Sequence, residues 1–150
     1  MTKRRKRGRI TVGAISEGTL QPIDLAESYL YELKRIEGNT QRVRDFTREW
    51  DHLSQHEDHS ALCDGLRDAL ESLAPDYLYF GATGGDGACI GWWPDWTCLE
   101  TNPYGTLGKG DTLPTANKSA PDHFLVVNDH GNSTLYRRAN NRWIEVWGCV

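Results

Sequence analysis

The hydrophobic period of this chain changes once, at Ala74-Pro75-Asp76, and that change decides what the chain can fold into. Before it, apolar residues recur every three or four positions, the spacing of a helix face. Ile23, Ala26, Tyr29, Leu30, Leu33 and Ile36 form one stripe. Val43, Phe46, Trp50 and Leu53 form a second. Ala61, Leu62, Leu66, Ala69, Leu70 and Leu73 form a third. After it come short runs rich in aromatic and β-branched residues, which are strand patterns. These are Tyr77 to Phe80, Ala88 to Trp93, His123 to Asn128, Thr134 to Arg138 and Trp143 to Cys149.

The punctuation agrees with this division. Pro22 suits a first helical position, and Gly38-Asn39 suits a helix end. Thr40 and Ser60 are candidate N-caps. The polar stretch from Ser54 to His59 breaks the second and third helices apart, and Pro75 stops the third. Ile10 to Ile15 reads as a short strand, and a further short strand fits near Thr97 to Glu100 inside the long connection from Pro94 to Pro121. Helices followed by an antiparallel meander predict an α+β fold. It has an N-terminal strand and about three helices packed on a mainly antiparallel C-terminal sheet of about five strands. The chain of 150 residues is expected to form a basic flexible arm over 1–9 and a single domain over 10–150.

Charge separates these two parts. Lys3, Arg4, Arg5, Lys6, Arg7 and Arg9 put six positive charges in the arm. The remainder holds eleven basic residues against twenty-one acidic ones, a balance of −10. Such a body repels nucleic acid at long range and suits a basic partner surface. The arm allows a weak, salt-sensitive nucleic-acid binder as one alternative. No apolar run approaches the ~20 residues of a membrane span, and the start does not read as a signal peptide. A cytoplasmic protein with reduced cysteines and no cofactor is the expectation.

Each motif has a bland reading beside its chemical one. The glycine loop Gly81 to Gly87 follows a strand but precedes another strand, so it reads as a hairpin turn and not a phosphate loop. Trp92-Trp93-Pro94-Asp95-Trp96 divides between core and an exposed partner-binding ridge, because adjacent strand residues face opposite ways. His52, His56, His59 and Cys63, spaced four, three and four, share one face only if a single helix carries them. On that condition they form a metal-binding row. Asp129-His130 sits in a hairpin turn and offers a general-base pair without an identifiable nucleophile. Glu57, Asp64, Asp68 and Glu71 lie along one side of the third helix. They make either a solvated face or a row of carboxylates imitating phosphates.

Three stretches together carry a family resemblance: Ile10-Thr11-Val12-Gly13 through Asp24-Leu25; Asp76-Tyr77-Leu78-Tyr79-Phe80-Gly81-Ala82 with Gly85-Asp86-Gly87-Ala88 and Trp93-Pro94; and Val127-Asn128-Asp129-His130-Gly131-Asn132 through Leu135-Tyr136-Arg137 and Glu145-Val146-Trp147. On these the chain resembles a group of small uncharacterised proteins from phages, plasmids and bacterial genomes. The resemblance implies a mobile-element accessory protein and no catalytic residues. Joined to the acidic body, it leads to a non-enzymatic inhibitor of anti-CRISPR type. That inhibitor would act in the host cytoplasm on a nucleic-acid-handling defence complex, through Glu57, Asp64, Asp68 and Glu71 and through Trp92, Trp93 and Trp96. The competing expectation is a small enzyme or metal-binding protein using Asp129 and His130 or the histidine row.

Overall fold

The computed structural model describes residues 8–149. Among them are four helices and two sheets, an α+β arrangement with the expected N-terminal strand and C-terminal sheet. Residue contacts divide the chain into two compact units. Of the described residues, the first takes 8–10, 14–74 and 80–92, and the second takes 11–13, 75–79 and 93–149.

The first unit holds the three helices predicted from periodicity, α1 (Pro22–Glu37), α2 (Gln41–His52) and α3 (Ser60–Glu71). Pro22 opens α1, and Gly38 closes it at φ 70 with its N–H on the Lys34 carbonyl, 2.8 Å away. Only a residue without a Cβ adopts that backbone cheaply. Thr40 caps α2, its hydroxyl accepting from the Val43 amide. The third cap differs from expectation. Ser60 lies inside α3, and the Asp58 carboxylate accepts the Ser60 amide at 2.9 Å; the Ser60 hydroxyl first, and then this amide, holds the Asp58 carboxyl below its usual range. Leu25, Ala26, Tyr29, Leu30, Leu33 and Ile36 of α1 are buried, as are Leu62, Cys63, Leu66, Ala69 and Leu70 of α3. In α2 only Val43 is fully buried, so that helix rests lightly on its neighbours.

The strands β1 (Gly13–Ser16), β2 (Leu78–Thr83) and β3 (Asp86–Pro94) form a three-stranded sheet with β3 in the middle. The glycine loop shrinks to Gly84-Gly85, a two-residue hairpin turn in which neither glycine takes a positive φ. Within the first unit the ring of Tyr29 meets Phe80 edge-on at 5.3 Å, and Phe80 meets Trp92 at 4.8 Å. Trp92 is 1% exposed and donates its indole N–H to Glu32 at 3.2 Å. Glu32 is itself buried and also binds Arg35, so this carboxylate is satisfied from two sides.

Burial pushes the Tyr29 hydroxyl up from 10.0 to about 12, and the neighbouring Cys63 adds to the shift. Folding therefore favours the neutral phenol. Its contribution is intact below pH 10 and is lost as pH rises from 10 towards 12, because the unfolded chain ionises first. The loss amounts to about 1.4 kcal/mol for each pH unit in that window. Tyr29→Phe keeps the ring and abolishes the titration. Urea unfolding at pH 8 and pH 11 should show the variant gaining on the native chain by about 1.4 kcal/mol at the higher pH. Parallel behaviour at both values would contradict this account.

The second unit holds α4 (Trp96–Thr101) and the four-stranded sheet β4-β5-β6-β7, with β4 (Leu107–Gly110), β5 (His123–Val127), β6 (Ser133–Ala139) and β7 (Arg142–Cys149). β5, β6 and β7 form the expected antiparallel meander, while β4 joins β5 in parallel. Two expectations are corrected here. The strand predicted near Thr97–Glu100 is the helix α4, because the Asp95 carboxylate caps it through the Cys98 amide at 3.0 Å. In place of one sheet of about five strands there are two sheets, of three and four. Gly108 explains how β4 fits: a Cβ there would stand 2.6 Å from the Phe124 ring.

Candidate functional site

The acidic face occupies the first unit. Asp64, Asp68 and Glu71 are exposed on α3 at spacings of four and three, hence on one face, and Glu57 and Asp58 lie exposed in the turn before it. Arg67 shares that face and pairs with Asp64 at 3.3 Å. Local neutralisation therefore reduces the stripe, and Asp68 and Glu71 carry most of what remains. At the scale of the unit the excess persists. Its described residues hold fourteen carboxylates against seven Arg and Lys, whereas the second unit holds seven against five.

The tryptophan ridge does not survive whole. Trp92 is a core residue, as its burial and its bond to Glu32 show, and it has no free surface to offer a partner. Trp93 is half-buried. Trp96, the first residue of α4, is 59% exposed and is the one member with a broad open face. Of the arm, Lys3, Arg4, Arg5, Lys6 and Arg7 lie outside the described residues. Arg9 is described, and its carbonyl accepts from Arg35 at 2.7 Å.

The histidine row does not converge. His52 ends α2, His56 is exposed in the following turn, and His59 and Cys63 are buried at the start of α3. The break at 54–59 removes the single helix that the spacing needs. His59 is held by the Glu57 carbonyl at 2.8 Å from Nδ1, and its ring lies 5.4 Å from that of Trp50. No group of three or more metal-ligating side chains converges among the described residues. All four cysteines are unbridged.

Asp129 and His130 are both exposed in the β5–β6 turn. The turn is built by their neighbour: the Asn128 side chain accepts the amides of His130 and Asn132, each at 3.0 Å, and Gly131 takes φ 79. The pair owes its position to this turn geometry.

A more chemically loaded cluster lies elsewhere in the second unit. His123, the first residue of β5, is 4% exposed, and its Nε2 stands 3.3 Å from the Asp76 carboxylate without reaching hydrogen-bond geometry. The Tyr77 ring meets those of His123 and Tyr104 edge-on, at 5.2 and 5.0 Å. Tyr77 is 1% exposed and adopts φ 63, a backbone state uncommon for a bulky residue. Burial raises its pKa, and the nearby Asp76 carboxylate adds to the effect. The Tyr104 amide opposes that rise, although it does not meet hydrogen-bond geometry at the hydroxyl. Among the described residues the Tyr77 hydroxyl and both imidazole nitrogens of His123 thus have no hydrogen-bond partner. Trp147 donates to the Asp76 carbonyl at 3.0 Å, and Tyr77 accepts the Asp95 amide at its carbonyl, 2.8 Å away, fixing the backbone on both sides. Beside the cluster, Asp122 clamps Thr106 through three hydrogen bonds, and the Thr106 amide chiefly holds the Asp122 carboxyl low.

No family model, curated protein or solved structure matches this chain.

The cluster at Asp76, Tyr77 and His123 combines a carboxylate, an imidazole and a phenol, which can exchange protons or hold a polar ligand. Sequence reasoning missed it because His123 reads as an ordinary strand start. Asp76 reads as part of a helix stop and Tyr77 as the first residue of a strand. Among the described residues no helix is long and apolar enough to cross a membrane.

Proposed function

We propose that this chain is an interaction protein that binds a basic partner surface through the carboxylate-rich face of α3. The observation that carries the reading is the exposure of Asp64, Asp68 and Glu71 on one helix face, in a unit with fourteen carboxylates against seven cations. Complementary fields of this kind set encounter rate and partner choice. A nucleic-acid-handling complex presents the matching basic channel. That the complex belongs to host defence, and that the chain inhibits it for a mobile element, rests on the sequence resemblance.

Trp96 offers a separate aromatic anchor in the second unit, of a type enriched at interface hot spots. The competing small-enzyme reading has better support at Asp76, Tyr77 and His123 than at Asp129 and His130. Tyr77 and His123 are buried with unpartnered polar atoms beside the half-exposed Asp76, and Asp129 and His130 occupy an exposed turn.

The test is affinity capture from host lysate with the native chain and with Asp64→Lys, Asp68→Lys and Glu71→Lys combined. All three positions are solvent-exposed, so the fold should persist, with far-UV circular dichroism as the check. The partner set captured by the native chain should fall at least ~100-fold in the variant at physiological salt, because like charges then face each other. An unchanged partner set would remove the acidic-face reading.

A further inference from the structure

The other notable surface of the helical unit has the opposite chemistry. α1 and α2 are antiparallel neighbours, and a cleft of about 660 Å³ opens along their outer seam. A second hollow of about 260 Å³ adjoins it, sharing Lys34, Thr47 and Asp51 as lining residues. The combined groove follows α1 from Glu27 to Gly38, roughly 16 Å at the helical rise, the length of about three turns of another helix. Its apolar surface comes chiefly from Tyr31, which is 72% exposed, and half-buried Trp50, over a floor of buried Leu30 and Val43. Val43 is the one fully buried residue of α2, which leaves much of that helix's apolar side half-covered.

Charge selects the occupant. The larger cleft is lined by Lys34, Arg44, Arg48 and His52 with Asp51 as its one carboxylate, Glu27 lines the smaller hollow, and Lys34 and Arg44 lie nearest the Gly38 end. Among the described residues neither Lys34 nor Arg44 pairs with an acid. Arg44 is held by the Asn39 carbonyl and the Gln41 side chain, each at 2.8 Å, so its guanidinium is positioned in advance. Arg48 reaches Asp45 only at 3.6 Å with both side chains exposed, a pair of little energetic weight. Three cations, Lys34, Arg44 and Arg48, line the groove against two carboxylates, Glu27 and Asp51, in a unit where carboxylates outnumber cations two to one, and that balance marks the groove off from the rest of its surface.

We propose that the α1–α2 groove is a docking site for an amphipathic helical segment of a partner protein, with an apolar seam and acidic flanks. An apolar groove with aromatic residues receives the seam in helix-in-groove recognition. The cations meet carboxylates at the end of the segment nearest Gly38. This reading is independent of the α3 face, which contributes no lining residue to either hollow.

The experiment uses the full chain and two labelled amphipathic peptides with the same leucine seam, one flanked by glutamate and the other by lysine, read by fluorescence anisotropy. The glutamate peptide should bind saturably at one site and the lysine peptide at least ~10-fold more weakly. Combining Lys34→Glu with Arg44→Glu should reverse that preference, while Asp68→Lys on α3 should leave it unchanged. Should the double variant misfold, Tyr31→Ser at an exposed site supplies the second test and should weaken the glutamate peptide ~10-fold. Equal binding of both peptides, binding of neither, or indifference to the double variant would overturn the proposal. Sedimentation adds one more arm. A native dimer that the double variant abolishes would make a second copy of this chain the occupant, and would equally overturn it.

Discussion

Trp92→Ala is expected to destabilise the first unit by roughly 3–5 kcal/mol, the range for removing a fully buried aromatic side chain. Three losses combine. The indole is 1% exposed, so nearly all its transfer free energy disappears with it. Its contact with Phe80 at 4.8 Å goes, and Phe80 in turn supports Tyr29 at 5.3 Å. Glu32, buried in the same core, loses its indole donor and keeps Arg35. Domains hold only about 5–15 kcal/mol in all, so the variant sits at the margin of folding. Trp92→Phe separates the causes. It restores most of the ring packing and leaves only the missing N–H, so about 1–2 kcal/mol is expected. Urea denaturation followed by far-UV circular dichroism measures both. An alanine variant with a native midpoint would show that the indole is not in this core. A lost interaction in that variant would report unfolding and say nothing of a ridge at the partner surface.

Trp92 also shows where sequence could and could not be read. Adjacent tryptophans on a strand must divide between two faces, and that inference holds: Trp92 is buried and Trp93 half-exposed. Which of the two faces inward depends on where α1 packs, and that is not local information. The helices were legible because their stripes, the Thr40 cap, Pro22 and Gly38 all act within one or two turns. α4 was not, because six residues give no periodicity and Asp95 supplies its one clear signal. β4 was hidden for another reason. Two of its four residues are glycine, and it exists by pairing in parallel with β5, across twelve intervening residues. The division into two sheets is a matter of strand partners, and alternation identifies faces but not partners.

The sites follow the same logic. Asp64, Asp68 and Glu71 were found because helical spacing alone places them together, but Arg67 was left out of the stripe although the same spacing includes it. The Asp76–Tyr77–His123 cluster unites residues about fifty positions apart. Its most telling mark, φ 63 at Tyr77, runs against the preference of the residue that bears it. The α1–α2 groove was hidden behind a correct observation. Val43, Phe46 and Trp50 do form a stripe, but the stripe is only partly covered.

Trp147→Ala should have the matching effect in the second unit, again roughly 3–5 kcal/mol. The side chain is fully buried, and Trp147 pairs with Leu135, which is also fully buried, beside the irregular register at Leu135/Tyr136. The indole does more than fill space. Its N–H holds the Asp76 carbonyl at 3.0 Å, one residue ahead of the positive φ of Tyr77. A backbone state of that kind costs of order 1–3 kcal/mol and persists only when its surroundings determine it. Trp147→Phe keeps much of the packing and releases that carbonyl, so a loss of about 1–3 kcal/mol is expected from the unmet acceptor and the relaxing turn. The distinction is visible locally. In the phenylalanine variant, hydrogen exchange at the Asp95 amide, which donates to the Tyr77 carbonyl at 2.8 Å, should accelerate more than exchange in the β5–β6 ladder. Equal acceleration of both would mean that Trp147 acts as packing alone. Selective acceleration would show that β7 holds Asp76 and Tyr77 beside His123, where a buried phenol and imidazole without hydrogen-bond partners among the described residues are retained in a core that apolar side chains would have filled at lower cost.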